Sequence, residues 1–188
     1  MIRPTVGEVS DRALVLYAFV RRGTIEYVVS ETGGDPARVR QAEVARRETD
    51  VWLERERVWG AVTDDERRLL EAPSGSWPRE AVADAMWRKE SFGTLLWALE
   101  HLEEMPRYGL EFEQRRLDEA IVRYGSVDAF RAEGSLRPDD QIEAAWLEAD
   151  AWFGATEGRA GDDSHVASAS AERFRALSWL RDRDAAPA

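Results

Sequence analysis

The run MWRKESFGTLLWAL, residues 86 to 99, sets Arg88, Lys89 and Glu90 side by side in an otherwise apolar stretch, with Trp87 before them and Trp97 after. A carboxylate in such a place can act as a general base or bind a ligand, a guanidinium can clamp an anion, and His101 can shuttle a proton. The same residues can instead form a structural ion-pair network. An ionised group out of water must be paired, because stranding one member of a buried pair costs ~3–5 kcal/mol.

At about 100° per residue, a helix through this run carries Phe92, Leu95, Leu96 and Leu99 on one side, with Met86 and Trp97 opposite. A helix apolar nearly all round is buried. Glu90 then shares a narrow polar stripe with Thr94 and His101, beside Trp97, and partners for Arg88 and Glu90 must come from other helices. Asp150, Glu172 and Arg173 are the candidates. The pocket reading gathers Arg88, Glu90, Thr94, Trp97 and His101, reached by Arg137, Asp150, Glu172 and Arg173; the structural reading has the same groups mutually satisfied and dry, near a helix bend at Gly93.

Other chemistry is thin. His101 with Glu104 has the spacing of two ligands on a helix surface, but no His-Glu-x-x-His or Glu-x-x-His accompanies it. Asp162, Asp163 and His165 lack the ligand count of a calcium loop. Gly-x-Gly-x-x-Gly, the phosphate-binding Gly-x-x-x-x-Gly-Lys and Gly-x-Ser-x-Gly are absent, so neither a cofactor nor a metal is expected. The eight tryptophans read mostly as core, with Trp77, in the Pro-flanked loop PSGSWP, as the one expected at the surface.

Composition narrows the partners. A formal net charge of -11 opposes phosphate backbones and anionic lipid, so neither nucleic acid nor membrane is expected, and a basic protein or a second copy is the partner class left open. Without cysteine, the chain has no disulfide, cysteine-ligated zinc or thiol nucleophile. No early apolar run approaches the ~20 residues of a membrane span, and a cytoplasmic setting follows as the expectation.

The positioning elements read as helices throughout, since no segment alternates with a period of two. Ser10 is the expected cap of a first helix that stops near Gly23; TIEYVVSE, ended by Gly33 and Gly34, reads as a short second helix, with a strand as the rival because of its β-branched residues. Asp35-Pro36 opens a long helix to about Trp59, its apolar side made by Val44, Val51, Trp52 and Val58. Thr63 and Glu66 have capping-box spacing, and a long helix is expected from Pro78 to about Met105, ended by Pro106.

Leu110, Leu117, Ile121 and Tyr124 make a further stripe, and Ser126 opens a short helix closed by Gly134. Ile142, Ala145, Trp146, Ala149, Trp152 and Phe153 make the clearest stripe of all. Residues 154–168 read as a flexible loop, Ser170 as the cap of a last helix and 184–188 as a disordered tail. The expectation is one compact all-α domain over residues 1–188, with seven to nine helices.

RALVLYAFVRRG near the start, LLEAPSGSW, MWRKES with LLWALE, LRPDDQI with AWLEADAW, and ERFRALSWL near the end stand in an order and spacing that resemble the bacterial family called domain of unknown function 4272. The likeness covers about residues 10–181 and includes Trp87, Arg88, Glu90, Trp97, Arg137, Asp150, Glu172 and Arg173. It implies a cytosolic helical domain and brings no reaction, substrate or cofactor with it. Phe174 stands where the family pattern implies histidine, the DAWF stretch departs from a His-Trp pair, and relatives continue past Arg183 into a further small element.

The reading that follows is a non-catalytic interaction or accessory protein with an acidic protein-binding surface. Its rivals are a small enzyme or ligand-binding protein with a pocket at Arg88, Glu90 and His101, and an immunity-type inhibitor of a basic toxin.

Overall fold

A computed structural model describes residues 2–156, 164–185 and 187, with Ser164 described by its backbone alone. Its helices are α1 (Val6–Glu31), α2 (Pro36–Arg55), α3 (Asp64–Glu71), α4 (Arg79–Ala98), α5 (Gln114–Val122), α6 (Val127–Glu133), α7 (Asp139–Thr156) and α8 (Ser164–Arg181), with one 3-10 turn at Trp59–Ala61. Among the described residues there is no strand, and no helix is long and apolar enough to cross a membrane. The architecture of the described residues is all-α, with eight helices.

Local signals start and stop these helices. At α1 the cap is Thr5 and not Ser10: the Thr5 N–H donates to Glu8 Oε2 at 2.7 Å and the Glu8 N–H to Thr5 Oγ1 at 3.3 Å, a capping box. Ser10 is buried inside the helix. Asp35 accepts from the Ala37 N–H at 2.7 Å with Pro36 in the first turn, Thr63 and Glu66 close the capping box of α3, and Ser126 accepts from the Ala129 N–H at 3.1 Å to start α6.

Three helices end in the same hydrogen-bonded turn. After α1, α2 and α4, a residue with positive φ (Gly33 at 62°, Arg57 at 59°, Glu100 at 61°) lets the next N–H reach back to Val29, Leu53 and Leu96 respectively. At Arg57 and Glu100 a side chain occupies the left-handed conformation that glycine adopts without cost. For that reason α2 stops at Arg55 and not near Trp59, and α4 stops at Ala98 and not at Met105.

Chain contacts divide the protein into two compact units, Met1–Ala13 with Lys89–Ala188 and Leu14–Arg88. In the Leu14–Arg88 unit, α1 runs straight through Gly23, where the sequence pattern suggests a stop. A Cβ at Gly23 would lie 2.5 Å from the Ala85 Cβ, so the glycine is where α1 and α4 touch backbone to backbone. Leu14, Leu16, Phe19, Leu53, Leu70 and Trp77 fill this core. Trp77 is a correction to the expected surface residue: it is 8% exposed, its ring lies 5.3 Å from Phe19, and its Nε1–H donates to the Leu69 carbonyl at 2.7 Å.

The expected apolar side of α2 holds in part: Val58 is buried and Trp52 half-buried, but the two valines within the helix are not. Ala42 and Leu53 point inward, while Val44 and Val51 are 58% and 66% exposed. Of the eight tryptophans only Trp77, Trp97 and Trp179 are buried, and Trp152 is exposed.

The other unit packs Phe92, Leu95, Leu96, Leu99, Phe112, Leu117, Phe130, Ile142, Leu177 and Leu180. Helices α7 and α8 meet through a stacked Phe153–Phe174 pair at 5.0 Å, a Trp146 Nε1–H to Ser178 Oγ bond at 3.0 Å, and Arg181, which pairs with Glu143 at 2.6 Å. Phe174 thus spends its position on apolar stacking. Both helices extend into the stretch read as a loop, α7 through Thr156 and α8 from Ser164; Ser170 is buried within α8 and caps nothing. Residues 157–163, including Asp162 and Asp163, lie outside the described residues, and His165 is exposed on α8. In the 184–188 tail, Ala185 donates to the Asp182 carbonyl at 2.9 Å, while 186 and 188 lie outside the described residues.

The Gly23 contact predicts a sign. Alanine normally stabilises an interior helical glycine by about 1 kcal/mol, but here Gly23→Ala should destabilise by about 1–3 kcal/mol in denaturant unfolding. Adding Ala85→Gly should recover most of the loss.

Candidate functional site

Glu90 sits on α4 with no exposed surface, and Arg173, at 1%, reaches it from α8. The Arg173 Nε–H and Nη2–H both donate to Glu90 Oε2, at 2.9 and 2.8 Å. Glu90 Oε1 accepts the Phe112 N–H at 2.9 Å, and the remaining Arg173 donors hold the Pro106 carbonyl at 2.8 Å and the Leu110 carbonyl at 2.6 Å. One ion pair therefore fixes three backbone groups in the irregular segment between α4 and α5.

The guanidinium lies between the rings of Tyr108 and Phe112, 5.2 and 5.1 Å from their centroids. Gly93 explains how Phe112 gets so close: a Cβ there would be 2.5 Å from the ring. The glycine makes room for an aromatic edge. Burial pushes the Glu90 carboxyl up from the ordinary carboxylate range, and the Arg173 charge, its hydrogen bonds and the Phe112 N–H offset only part of that rise.

The neighbouring charges go elsewhere. Lys89 Nζ pairs with Glu111 at 2.5 Å. Arg88 belongs to the Leu14–Arg88 unit, where it is half-buried. Ser91 Oγ donates to Glu172 Oε2 at 2.7 Å and lies 2.9 Å from the Glu172 carbonyl, while the other Glu172 oxygen pairs with Arg175. Thr94 Oγ1 donates back to the Glu90 carbonyl at 2.8 Å, inside its own helix. Asp150 is exposed on α7 and takes no part in this network.

Arg137 and Trp97 form a separate cluster at the carboxyl end of α4. Arg137 Nε–H donates to the Trp97 carbonyl at 2.8 Å, Nη2–H to the Leu102 and Glu103 carbonyls at 2.9 Å each, and the backbone N–H to the Ala98 carbonyl at 2.9 Å. The guanidinium stacks 4.8 Å from the Trp97 ring centroid. A cation at a helix C-terminus satisfies orphaned carbonyls and the negative end of the dipole at once. Arg137 is a helix cap.

His101 lies past the end of α4, not on a stripe with Glu90 and Thr94, because the helix has already stopped. It is 2% exposed, with its ring against Phe130 at 4.3 Å and Tyr124 at 4.8 Å. Arg123 donates to the Tyr124 oxygen, and the Tyr124 hydroxyl shares a hydrogen bond with His101 Nδ1 at 2.6 Å. Nε2 is buried without a well-formed hydrogen bond among the described residues. Burial first, and the Arg123 charge second, lower the His101 pKa to about 4, the Phe130 backbone offsetting a little.

The Leu14–Arg88 unit has its own buried pair, which the sequence reading passed over. Arg22 and Glu26, one turn apart on α1, form an ion pair with essentially no exposure. The Glu26 carboxylate accepts the Gly75 N–H at 2.8 and 2.9 Å and the Trp77 N–H at 3.3 Å; Arg22 donates to the Ala72 carbonyl at 3.2 Å. The loop that looked exposed is thereby tied to α1. Both arginines had a readable signal: Arg173 stands at helical spacing with Ala176, Leu177 and Leu180, and Arg22 with Val15, Ala18, Phe19 and Val29, so each occupies a place on an apolar face.

Five of the candidate residues therefore fall into three clusters, Glu90 with Arg173, Trp97 with Arg137, and His101 against Tyr124, each binding the protein's own backbone or rings. Burial gives Glu90 the environment of a base, yet its oxygens face protein donors and no solvent.

Two outcomes follow. Glu90→Gln should cost about 3 kcal/mol of stability by denaturant unfolding, because it leaves the Arg173 charge buried and unpaired. His101 is neutral when folded, so its contribution is complete above its ordinary pKa of 6.5 and is lost as pH falls toward 4. That amounts to about 3 kcal/mol, and the difference in stability between wild type and His101→Gln should shrink by that order from pH 7 to pH 4.

No curated protein and no solved structure matches the chain. The family model described as Domain of unknown function (DUF4272) matches residues 2–186, nearly its whole length, and the chain belongs to that family.

Proposed function

We propose that this chain is a non-catalytic interaction or accessory protein, cytoplasmic in setting, whose acidic surface engages a basic protein partner. The observation that supports the reading is the coordination of Glu90. The carboxylate with the strongest claim to chemistry spends both oxygens on Arg173 and the Phe112 N–H, with no exposed surface. A base or ligand anchor needs a face left for its substrate. With the buried charges committed to backbone, recognition falls to the surface, where a net charge of -11 favours a basic partner and speeds encounter with it.

A thermal-shift screen of wild type and Glu90→Gln against metabolites, nucleotides and metal ions should show no stabilising ligand for either protein. Crosslinked pull-down at low salt should recover a basic protein that raised salt releases. A compound that lifts the wild-type midpoint and not that of Glu90→Gln would overturn the reading.

A further inference from the structure

Helix α2 presents an apolar stripe outward. Val44, Arg47, Glu48, Val51, Trp52 and Arg55 line an open groove of ≈ 560 Å³, and Val44 and Val51 are 58% and 66% exposed. Neither valine is needed to hold α2, which buries Ala42 and Leu53 instead. Trp52, half-buried, touches Tyr17 edge-on at 6.2 Å and keeps part of its surface toward the groove.

We infer that this face is a homodimer interface, in which α2 packs antiparallel against α2 of a second copy across a twofold axis between Val51 and Trp52. The inference rests on reading the chain as an interaction protein and names one partner for it. Its basis is that the stripe is complementary to itself. A twofold axis at that place brings Val51 beside the copy's Val51 and Trp52 beside the copy's Trp52, one on each side of the contact line. Glu48 stands three residues before Val51 and Arg55 three after Trp52, so the same axis brings Glu48 opposite the copy's Arg55, and does so twice.

Val51 and Trp52 sit nearest the axis, and the two charge pairs lie one helical turn away on either side of it. Arg47 and Arg55 have side chains 73% and 68% exposed, long enough to close over the valines. The charge balance of the helix also permits close approach. Against a chain charge of -11, α2 carries five arginines and four carboxylates, so the repulsion expected between two acidic copies is relieved at this face. A uniformly acidic or uniformly basic partner would meet a like charge at Arg55 or at Glu48; a second copy meets neither.

Sedimentation of the full chain over a range of concentrations tests this. Wild type should show a reversible dimer, and Val51→Glu, at a position too exposed to disturb the core, should weaken it at least about tenfold with unchanged helicity. Glu48→Arg and Arg55→Glu should each weaken the dimer, and the two together should restore it, because the pair is rebuilt with its signs exchanged. A wild type that stays monomeric at the highest soluble concentration overturns the inference, as does a dimer indifferent to Val51→Glu. If that monomer still captures a basic protein, the interaction reading stands without this interface; if it instead binds a small ligand through Glu90, both fail.

Discussion

A carboxylate and a guanidinium taken out of water must find every hydrogen bond inside the chain, and Glu90 and Arg173 do so by recruiting the backbone between α4 and α5. That segment has no regular structure to satisfy its own N–H and C=O groups. Phe112, Pro106 and Leu110 are bound instead to side chains fixed on α4 and α8. The pair is a solution to a backbone problem as much as an electrostatic one. Its position explains Gly93, the inward ring of Phe112 and the aromatic faces on either side of the guanidinium.

The same device appears in the Leu14–Arg88 unit at shorter range. Arg22 and Glu26 belong to one helix and serve the loop between α3 and α4, through Ala72, Gly75 and Trp77. Arg137 does comparable work for the carbonyls at the end of α4. In each case a charged side chain on or beside an apolar face replaces the ladder that an irregular segment lacks. These clusters account for most of the buried charge that first suggests chemistry, while Val44 and Val51 on α2 stay exposed and take no part in the core.

The helical class and most helix starts were legible because they depend on local chemistry: Asp35-Pro36, Thr63 with Glu66, and Ser126 each act on donors within their own first turn. The stops were harder. Glu100 and Arg57 end helices in a conformation that usually marks glycine, while Gly23 and Gly93, which look like breaks, are sites of close packing set by Ala85 and Phe112. Those are tertiary facts, invisible to a pattern read along the chain. The candidate site divides in the same way. Glu90 and Arg173 could be named from charge on apolar faces, but their pairing, the exclusion of Asp150 and the separate places of Arg137 and His101 depend on where α4 ends. The exposed side of α2 was misread because Val44 and Val51 have the spacing of a buried stripe, and only packing shows which stripe is inside.

The central claim, that Glu90 and Arg173 form a scaffold and not a reactive centre, is tested most directly by a double-mutant cycle in denaturant unfolding with Glu90→Gln, Arg173→Met and the two combined. The account predicts a coupling on the order of 2–3 kcal/mol, with the double variant far less damaged than the sum of the single ones, because neither then strands a buried charge. A coupling near zero, with Glu90→Gln as stable as wild type, would contradict it and return Glu90 to the list of residues free to do chemistry.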